Sequence, residues 1–311
     1  MQPTLSLVVF TVSAGAGYGL LALTVLLAWL GAQGMPGGLL VAGIGALALI
    51  TLGLLVSTRH LANPRNAWRA FSRFRSSWLS REAVFAVLLY PFALAWLALA
   101  GWQGTHGPAV DLLGLASALL ALVTVYCTGM IYACLRTIRQ WHNPLVPVNY
   151  LLLALASGAL LLAAILATTG SANSGTAETI ALALLVSAGL GKALYYHWIG
   201  PPQQAPPAGP SLNSALGLTR ARVRLFDSGQ SGGNYLTREF GYRPPARRLR
   251  GLRLAVLLLG FVVPASLLLH ESAAATVAAA LVALAGIGIE RWLFFAEARH
   301  VVNLFYGEAR V

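Results

Sequence analysis

The segment Gly38–Thr58, GLLVAGIGALALITLGLLVST, runs for 21 residues without a charged side chain. A helix rises about 1.5 Å per residue, so a run of this length spans the roughly 30 Å apolar core of a bilayer. Inside lipid the backbone polar groups must be satisfied within the segment, which favours an α-helix. The segment therefore predicts a transmembrane helix, and the following pair Arg59-His60 marks its exit from the apolar core.

Seven further segments are similar in length and apolar character, so we predict an all-α protein, an eight-transmembrane-helix bundle. The composition agrees, because 58% of the residues are hydrophobic and only 10% are charged, with a mean hydropathy of +0.72. Soluble domains carry about 25% charged residues. We expect one membrane domain, with residues 199–251 as a long Pro- and Arg-rich cytoplasmic loop. The predicted spans lie near residues 5–30, 38–58, 82–101, 110–135, 148–168, 177–198, 252–269 and 272–295.

The cations are divided unequally between the two ends of the predicted spans. All 21 Lys and Arg residues lie in or beside the even-side loops and the C-terminal tail, and the opposite loops contain none. The positive-inside rule then places the basic loops and both termini in the cytoplasm, and predicts a multi-pass protein of a bacterial inner membrane. The net charge of +12 fits orientation and contact with anionic headgroups of the lipid bilayer, so we do not expect nucleic-acid binding.

The Cys and His pattern argues against a metal cofactor held by this chain. The two cysteines, Cys127 and Cys134, lie two turns apart on one predicted helix and cannot supply the ligand set of an iron–sulfur cluster. A haem in a membrane helix bundle needs facing histidines within the spans. All six histidines lie at or near predicted helix ends and divide between the two sides, so we predict no haem.

The segment between the second and third spans brings two titratable residues to one membrane depth. His60 follows the second span and Glu82 begins the third, with arginines between them. One interpretation is a pair of interfacial residues in which Glu82 pairs with Arg81 or Arg59. The other is a site for a quinone headgroup, which needs a hydrogen-bond donor and a group that exchanges protons. The spacing alone leaves both interpretations open.

Two other features have simpler interpretations. Glu290 and Arg291, near the end of the eighth span, are expected to form a pair that reaches towards the membrane surface. The loop at 199–251 begins with a stiff Pro-rich linker and shows no sign of a core of its own. It is expected to be either a disordered, headgroup-binding loop or a docking strap for a cytoplasmic partner, with a slight preference for docking.

Five motifs in the first half of the chain form a recognisable set. They are FTVSAGAGYG at 10–19, HLANPRNAWRA at 60–70, SWLSRE at 77–82, MIYA at 130–133 and IRQWHNP at 138–144. Together they resemble the membrane-anchor subunits of DMSO-reductase-type molybdenum enzymes, including the membrane subunit of sulfite dehydrogenase. The resemblance covers the first half of the chain well, and we match no motif in residues 201–250 to it.

The resemblance implies an eight-span subunit without haem that is not itself catalytic for the substrate. It implies two partners on the cytoplasmic face, a molybdopterin catalytic subunit and an electron-transfer subunit with iron–sulfur clusters, and an exchangeable quinone, either ubiquinone or menaquinone. The family's quinone-reactive His and Glu fall on His60 and Glu82. We group Arg65 and Arg81 with them at the quinone site. Arginines and a histidine of the same side are assigned to partner docking: Arg69, Arg73, Arg75, Arg139 and His142.

The expected orientation bears on the substrate of the complex. Relatives that reduce DMSO export their catalytic pair, whereas sulfite-oxidising relatives keep theirs in the cytoplasm. Basic loops in the cytoplasm imply a catalytic pair in the cytoplasm. The expected orientation therefore favours sulfite oxidation. An anchor of a DMSO- or TMAO-type reductase that oxidises quinol remains an alternative, as does an anchor that never contacts quinone. A secondary transporter is the alternative of another class, although no inverted repeat is visible in the sequence.

Overall fold

The computed structural model describes residues 1–31, 37–60, 64–204, 209–218, 223–227, 240–308 and 310–311, without the side chains of His60, Pro64 and Ala67. Within these ranges eight helices are long and apolar enough to cross a membrane. Successive helices run in opposite directions, so their ends form two faces. The helices are α1 (Leu5–Gly31), α2 (Gly37–Ser57), α3 (Trp78–Gln103), α4 (Pro108–Ala133), α5 (Leu145–Thr168), α6 (Ser174–Ile199), α7 (Ala246–Leu268) and α8 (Ala273–Ala296).

Helices α3 and α7 both begin in polar sequence, before the apolar runs that predicted them. Helix α3 begins one turn before Glu82, because the Ser77 hydroxyl caps it by accepting a hydrogen bond from the Ser80 backbone N–H at 3.4 Å. Helix α7 begins directly after Pro245, before the apolar run that starts near residue 252. Its first turns therefore carry arginines that the sequence had suggested for the loop: Arg247, Arg248 and Arg250.

Helix α1 lies at the centre of the bundle. Its apolar window is 78% buried, against 28–61% for the other described spans, and it contacts α2, α4, α5 and α8. Glycines let these helices approach closely, as is common in membrane bundles. A Cβ atom on Gly19 or on Gly158 would overlap the backbone of the facing helix across the α1–α5 contact. A Cβ atom on Gly286 of α8 would likewise overlap the backbone of Gly260, which lies within the π-helical turn Leu258–Val262 of α7.

The described parts of the connection between α6 and α7 pack against the C-terminal tail. Arg299 donates a hydrogen bond to the side-chain oxygen of Gln203 at 2.7 Å, and Arg243 forms an ion pair with Glu308. The tail also reaches the α4–α5 turn, where the backbone of Ile138 pairs with that of His300. These contacts hold Gln203 and Arg243 of the connection against the C-terminal tail at one end of the bundle. We call this end, at which α2, α4, α6 and α8 terminate, the basic face.

Candidate functional site

The segment after α2 forms a cationic and aromatic surface at the basic face. The segment contains two short 3₁₀ helices, Thr58–His60 and Pro64–Arg73. Trp68 is 65% exposed, and the Arg69 guanidinium lies 5.7 Å from its ring centroid. The side chain of His60 and residues 61–63 fall outside the described residues, so the role of His60 stays a prediction. The exposed arginines of this surface are Arg59, Arg65, Arg69, Arg73 and Arg75.

Arg81 connects this surface to the start of α3. Its Nε donates to the carbonyl oxygen of Phe74 at 3.0 Å, and its Nη2 donates to that of Arg75 at 2.8 Å. The guanidinium lies 4.2 Å from the ring centroid of Trp78, within the range of a cation–π interaction. Arg81 therefore satisfies the carbonyls of the preceding turn and holds that turn in place.

Glu82, the next residue, is buried in the bundle. Its carboxylate accepts a hydrogen bond of 2.6 Å from the Thr128 hydroxyl on α4, and only 6% of the residue is exposed. Among the described residues no Lys or Arg forms an ion pair with Glu82. The simple alternative in which Arg59 or Arg81 neutralises Glu82 at the interface is therefore not what the structure shows. A buried carboxyl without a cationic partner is suited to taking up and releasing protons.

A small cavity, lined mainly by apolar side chains with a few polar groups, lies behind Thr128 between α1, α4, α5 and α8. Its volume of about 30 Å³ is enough for one or two water molecules and far too small for a quinone headgroup. Its polar lining includes Tyr18, Thr128, Tyr150 and Arg291. The hydroxyls of both tyrosines are buried and have no hydrogen-bond partner among the described residues. The cavity thus offers unsatisfied donors and acceptors beside the residue that holds Glu82.

An ionic cluster lies on the far side of this cavity. Glu290 and Arg291 of α8 are buried, and Glu290 bonds both to Arg291 and to Lys192 of α6. The prediction that Glu290 and Arg291 reach the membrane surface is wrong, because 0% of Glu290 and 3% of Arg291 are exposed. Aromatic rings cover the two cations: Arg291 lies 4.0 Å from the ring centroid of Tyr150, and Lys192 lies 4.2 Å from that of Tyr195.

A second ion pair, between Arg253 and Glu297, lies at the basic face. Arg253 of α7 donates to both carboxylate oxygens of Glu297, at 2.8 and 3.1 Å, and to the carbonyl oxygen of Gly200 at 2.8 Å. Burial raises the pKa of Glu297 above its ordinary value, and the Arg253 charge opposes that rise. This bidentate pair joins the start of α7 to the end of α8.

Comparison with known proteins assigns this architecture to a family. The family model described as DMSO reductase anchor subunit (DmsC) matches residues 1–307. The chain belongs to the DMSO reductase anchor subunit family. It is also 34% identical to a sulfite dehydrogenase subunit of Allochromatium vinosum over 98% of this chain and 99% of that protein. No solved structure matches it. The family match covers nearly the whole chain, including residues 201–250, which the motifs in the first half did not reach.

The residues assigned to docking in this anchor subunit divide into two groups. Arg69, Arg73 and Arg75 are exposed on the segment after α2 and are free to contact another surface. Arg139 instead lies 4.9 Å from the ring centroid of Trp198 at the end of α6. His142 donates from Nδ1 to the carbonyl oxygen of Ala133 at 2.7 Å. These last two side chains therefore stabilise the α4–α5 turn, and their part in docking stays a prediction.

The sequence analysis selected Glu82 as a candidate but did not predict its contact with Thr128, the cavity or the contact of Lys192 with Glu290. The available signal was Lys192 itself, the only lysine in the chain, placed inside an apolar helix. Ionisable residues within membrane spans are costly and mark functional candidates. The contact with Glu290 was hidden because the two residues lie 98 positions apart.

Proposed function

We propose that this anchor subunit is the quinone-reactive member of a molybdopterin oxidoreductase complex that oxidises sulfite in the cytoplasm. It would pass electrons between the iron–sulfur subunit of the complex and a quinone in the membrane. Membership of the DMSO reductase anchor family supports the role of anchor, and the similarity to a subunit of a sulfite dehydrogenase supports the substrate. The proposed reaction is balanced as sulfite + water + quinone → sulfate + quinol.

The observation that carries the quinone role is the environment of Glu82. The carboxyl is buried one turn inside α3, is held by Thr128, and lacks a cationic partner among the described residues. Quinone reduction consumes two protons along with two electrons, so a carboxyl that can release and regain a proton suits the reaction. The 30 Å³ cavity behind Thr128 cannot admit the headgroup. The quinone would therefore approach Glu82 from the lipid side, beneath the segment that follows α2.

The arginine surface supports the position of the partners. Arg65, Arg69 and Arg73 are exposed at the same membrane end as Glu82. A cationic surface attracts an acidic partner and increases its association rate. An iron–sulfur subunit docked there would lie close to a quinone at Glu82. The concentration of cations on this face supports a cytoplasmic position for it and for both termini.

The test uses the assembled complex with sulfite as donor and decylubiquinone as acceptor. We expect Glu82→Gln and His60→Ala each to lower quinone reduction by about 10²-fold, the usual contribution of a positioned acid–base group. Sulfite oxidation with ferricyanide, which takes electrons without protons, should not change. Glu178→Gln is the matched control, because Glu178 is a carboxyl near the start of α6, at the opposite membrane end.

Quinone reduction at the wild-type rate in both Glu82→Gln and His60→Ala would contradict the proposed site. A complex that reduces DMSO or TMAO with quinol, and does not oxidise sulfite, would favour the reductase alternative.

A further inference from the structure

A line of buried polar groups continues from Glu82 across the bundle, and the quinone chemistry proposed above uses only its first member. Thr128 donates to Glu82 and also borders the small cavity between α1, α4, α5 and α8. Arg291 borders the same cavity from α8 and is bonded to Glu290. Glu290 is bonded in turn to Lys192 of α6. The cavity therefore separates the Glu82–Thr128 pair from the Lys192–Glu290–Arg291 cluster.

Water in this cavity would satisfy the groups that line it. The buried hydroxyls of Tyr18 and Tyr150 have no hydrogen-bond partner among the residues that the structure describes. Buried hydroxyls are nearly always hydrogen-bonded, and a cavity of about 30 Å³ can hold water where hydroxyls and a guanidinium form part of its wall. One or two waters there would join the Thr128 hydroxyl to the tyrosines and to the guanidinium of Arg291.

The line continues from the cluster towards the basic face. Lys192 lies 4.9 Å from the ring centroid of Tyr196, and Arg253 lies 4.8 Å from the same centroid. The Tyr196 ring is therefore close both to a cation of the buried cluster and to the cation of the Arg253–Glu297 pair. That pair borders a second small polar cavity, of about 20 Å³, beneath the tail and the described loop residues. Ionisable groups thus follow one another from the Glu82 site through the buried cluster to the Arg253–Glu297 pair at the basic face.

We propose that this line is a proton path that supplies Glu82 from the basic face through Glu297, Lys192, Glu290 and water in the cavity that Arg291 borders. The proposal rests on the proposed function, because it assigns the protons to quinone reduction. Two electrons come from sulfite through the partner subunits. Two protons enter from the cytoplasm, pass to Glu82, and complete the quinol. Arg291 stays protonated, since its guanidinium does not titrate in proteins, and it orients the waters and Glu290.

A purely structural cluster would join α6 to α8 equally well, and it would not need Tyr150 to have a hydroxyl. Tyr150→Phe separates these two roles. The substitution keeps the aromatic ring that covers Arg291 and removes only the hydroxyl, which meets no other described residue in good hydrogen-bond geometry. The fold should therefore tolerate it. The matched control is Tyr90→Phe on α3, whose hydroxyl bonds to Thr51 at 2.7 Å and does not border the cavity.

The assay uses the intact complex with sulfite, decylubiquinone and ferricyanide. We expect Tyr150→Phe to slow quinone reduction severalfold and to increase its solvent deuterium isotope effect. Ferricyanide reduction should stay at the wild-type rate, and Tyr90→Phe should match the wild type in every assay. Wild-type quinone kinetics in Tyr150→Phe, together with the expected loss in Glu82→Gln, would overturn the path and leave the quinone site standing. Wild-type kinetics in Tyr150→Phe, Glu82→Gln and His60→Ala alike would overturn the site and the path together.

A second measurement needs no substrate. Hydroxyl-radical footprinting of the purified full chain modifies side chains beside ordered water, even buried ones. We expect Tyr18 and Tyr150 to be modified much faster than Phe295, which is fully buried and does not border this cavity. Equal, slow modification of all three residues would mean a dry cavity and would overturn the proposal.

Discussion

At the scale of single residues, Glu290 is the counterion on which the buried charges depend. It is bonded to two cations, Lys192 and Arg291, and all three side chains are at most 3% exposed. Removing one partner of a buried ion pair is strongly destabilising, because the remaining charge is left without compensation. The three residues should therefore differ in their tolerance to substitution, although they share one cluster.

Glu290→Gln should destabilise the protein by about 3–5 kcal/mol, because it leaves two cations buried without a carboxylate. Lys192→Met should cost much less, since the Glu290–Arg291 pair remains and carries no net charge. Thermal unfolding in detergent, read together with the yield of folded chain, measures the difference. Equal losses of stability in the two variants would contradict the assignment of Glu290 as the shared counterion.

At the scale of the helices, glycines rather than large side chains set the closest contacts. Gly158 of α5 lies against the backbone of α1 so closely that an added Cβ would overlap Gly19 and Leu20. The atoms that it would meet are backbone atoms, so the overlap cannot be relieved by rotating a side chain. The α1–α5 distance is thus fixed by a position that carries no side chain.

Gly158→Ala should destabilise the bundle by about 1–3 kcal/mol, the usual cost of overpacking a close contact. Gly45→Ala on α2 is the matched control, because a Cβ at Gly45 would meet nothing within 4 Å. Alanine also has the higher helix propensity, so this control should be neutral or slightly stabilising. The midpoints of thermal unfolding of the two variants test the difference, and a Gly158→Ala midpoint equal to that of Gly45→Ala would refute it.

The helices themselves could be predicted because each apolar run is long enough to cross lipid by itself. Glu82 could be identified for a similar local reason, since it is an ionisable residue at the start of a span. Its partner Thr128 could not, because the two residues are 46 positions apart and a threonine in an apolar helix has no distinctive pattern. The interpretation of Glu290 and Arg291 failed because their depth in the bundle depends on how α6 and α8 pack.

At the scale of the whole molecule, the proposed quinone chemistry and the proposed partner contacts both lie at the basic face. The exposed arginines between α2 and α3, the buried Glu82 and the Arg253–Glu297 pair all lie at this end of the bundle. The proposed electron donor, the quinone and the proton entry would then share one side of the membrane. This arrangement requires the basic face to be cytoplasmic if the protons come from the cytoplasm.

Cysteine labelling tests that orientation directly. Ser72 is exposed on the helix Pro64–Arg73, and His106 is exposed between α3 and α4 at the opposite end. In a background with the exposed Cys134 replaced by Ser, a membrane-impermeant maleimide should label His106→Cys in intact cells. It should label Ser72→Cys only after the membrane is permeabilised, since positive-inside orientation hides that site. Labelling of both variants in permeabilised cells controls for the reactivity of each thiol.

The reverse labelling pattern would place the arginine surface outside the cytoplasm. The catalytic partner would then lie outside as well, and the orientation would favour the reductase alternative over cytoplasmic sulfite oxidation.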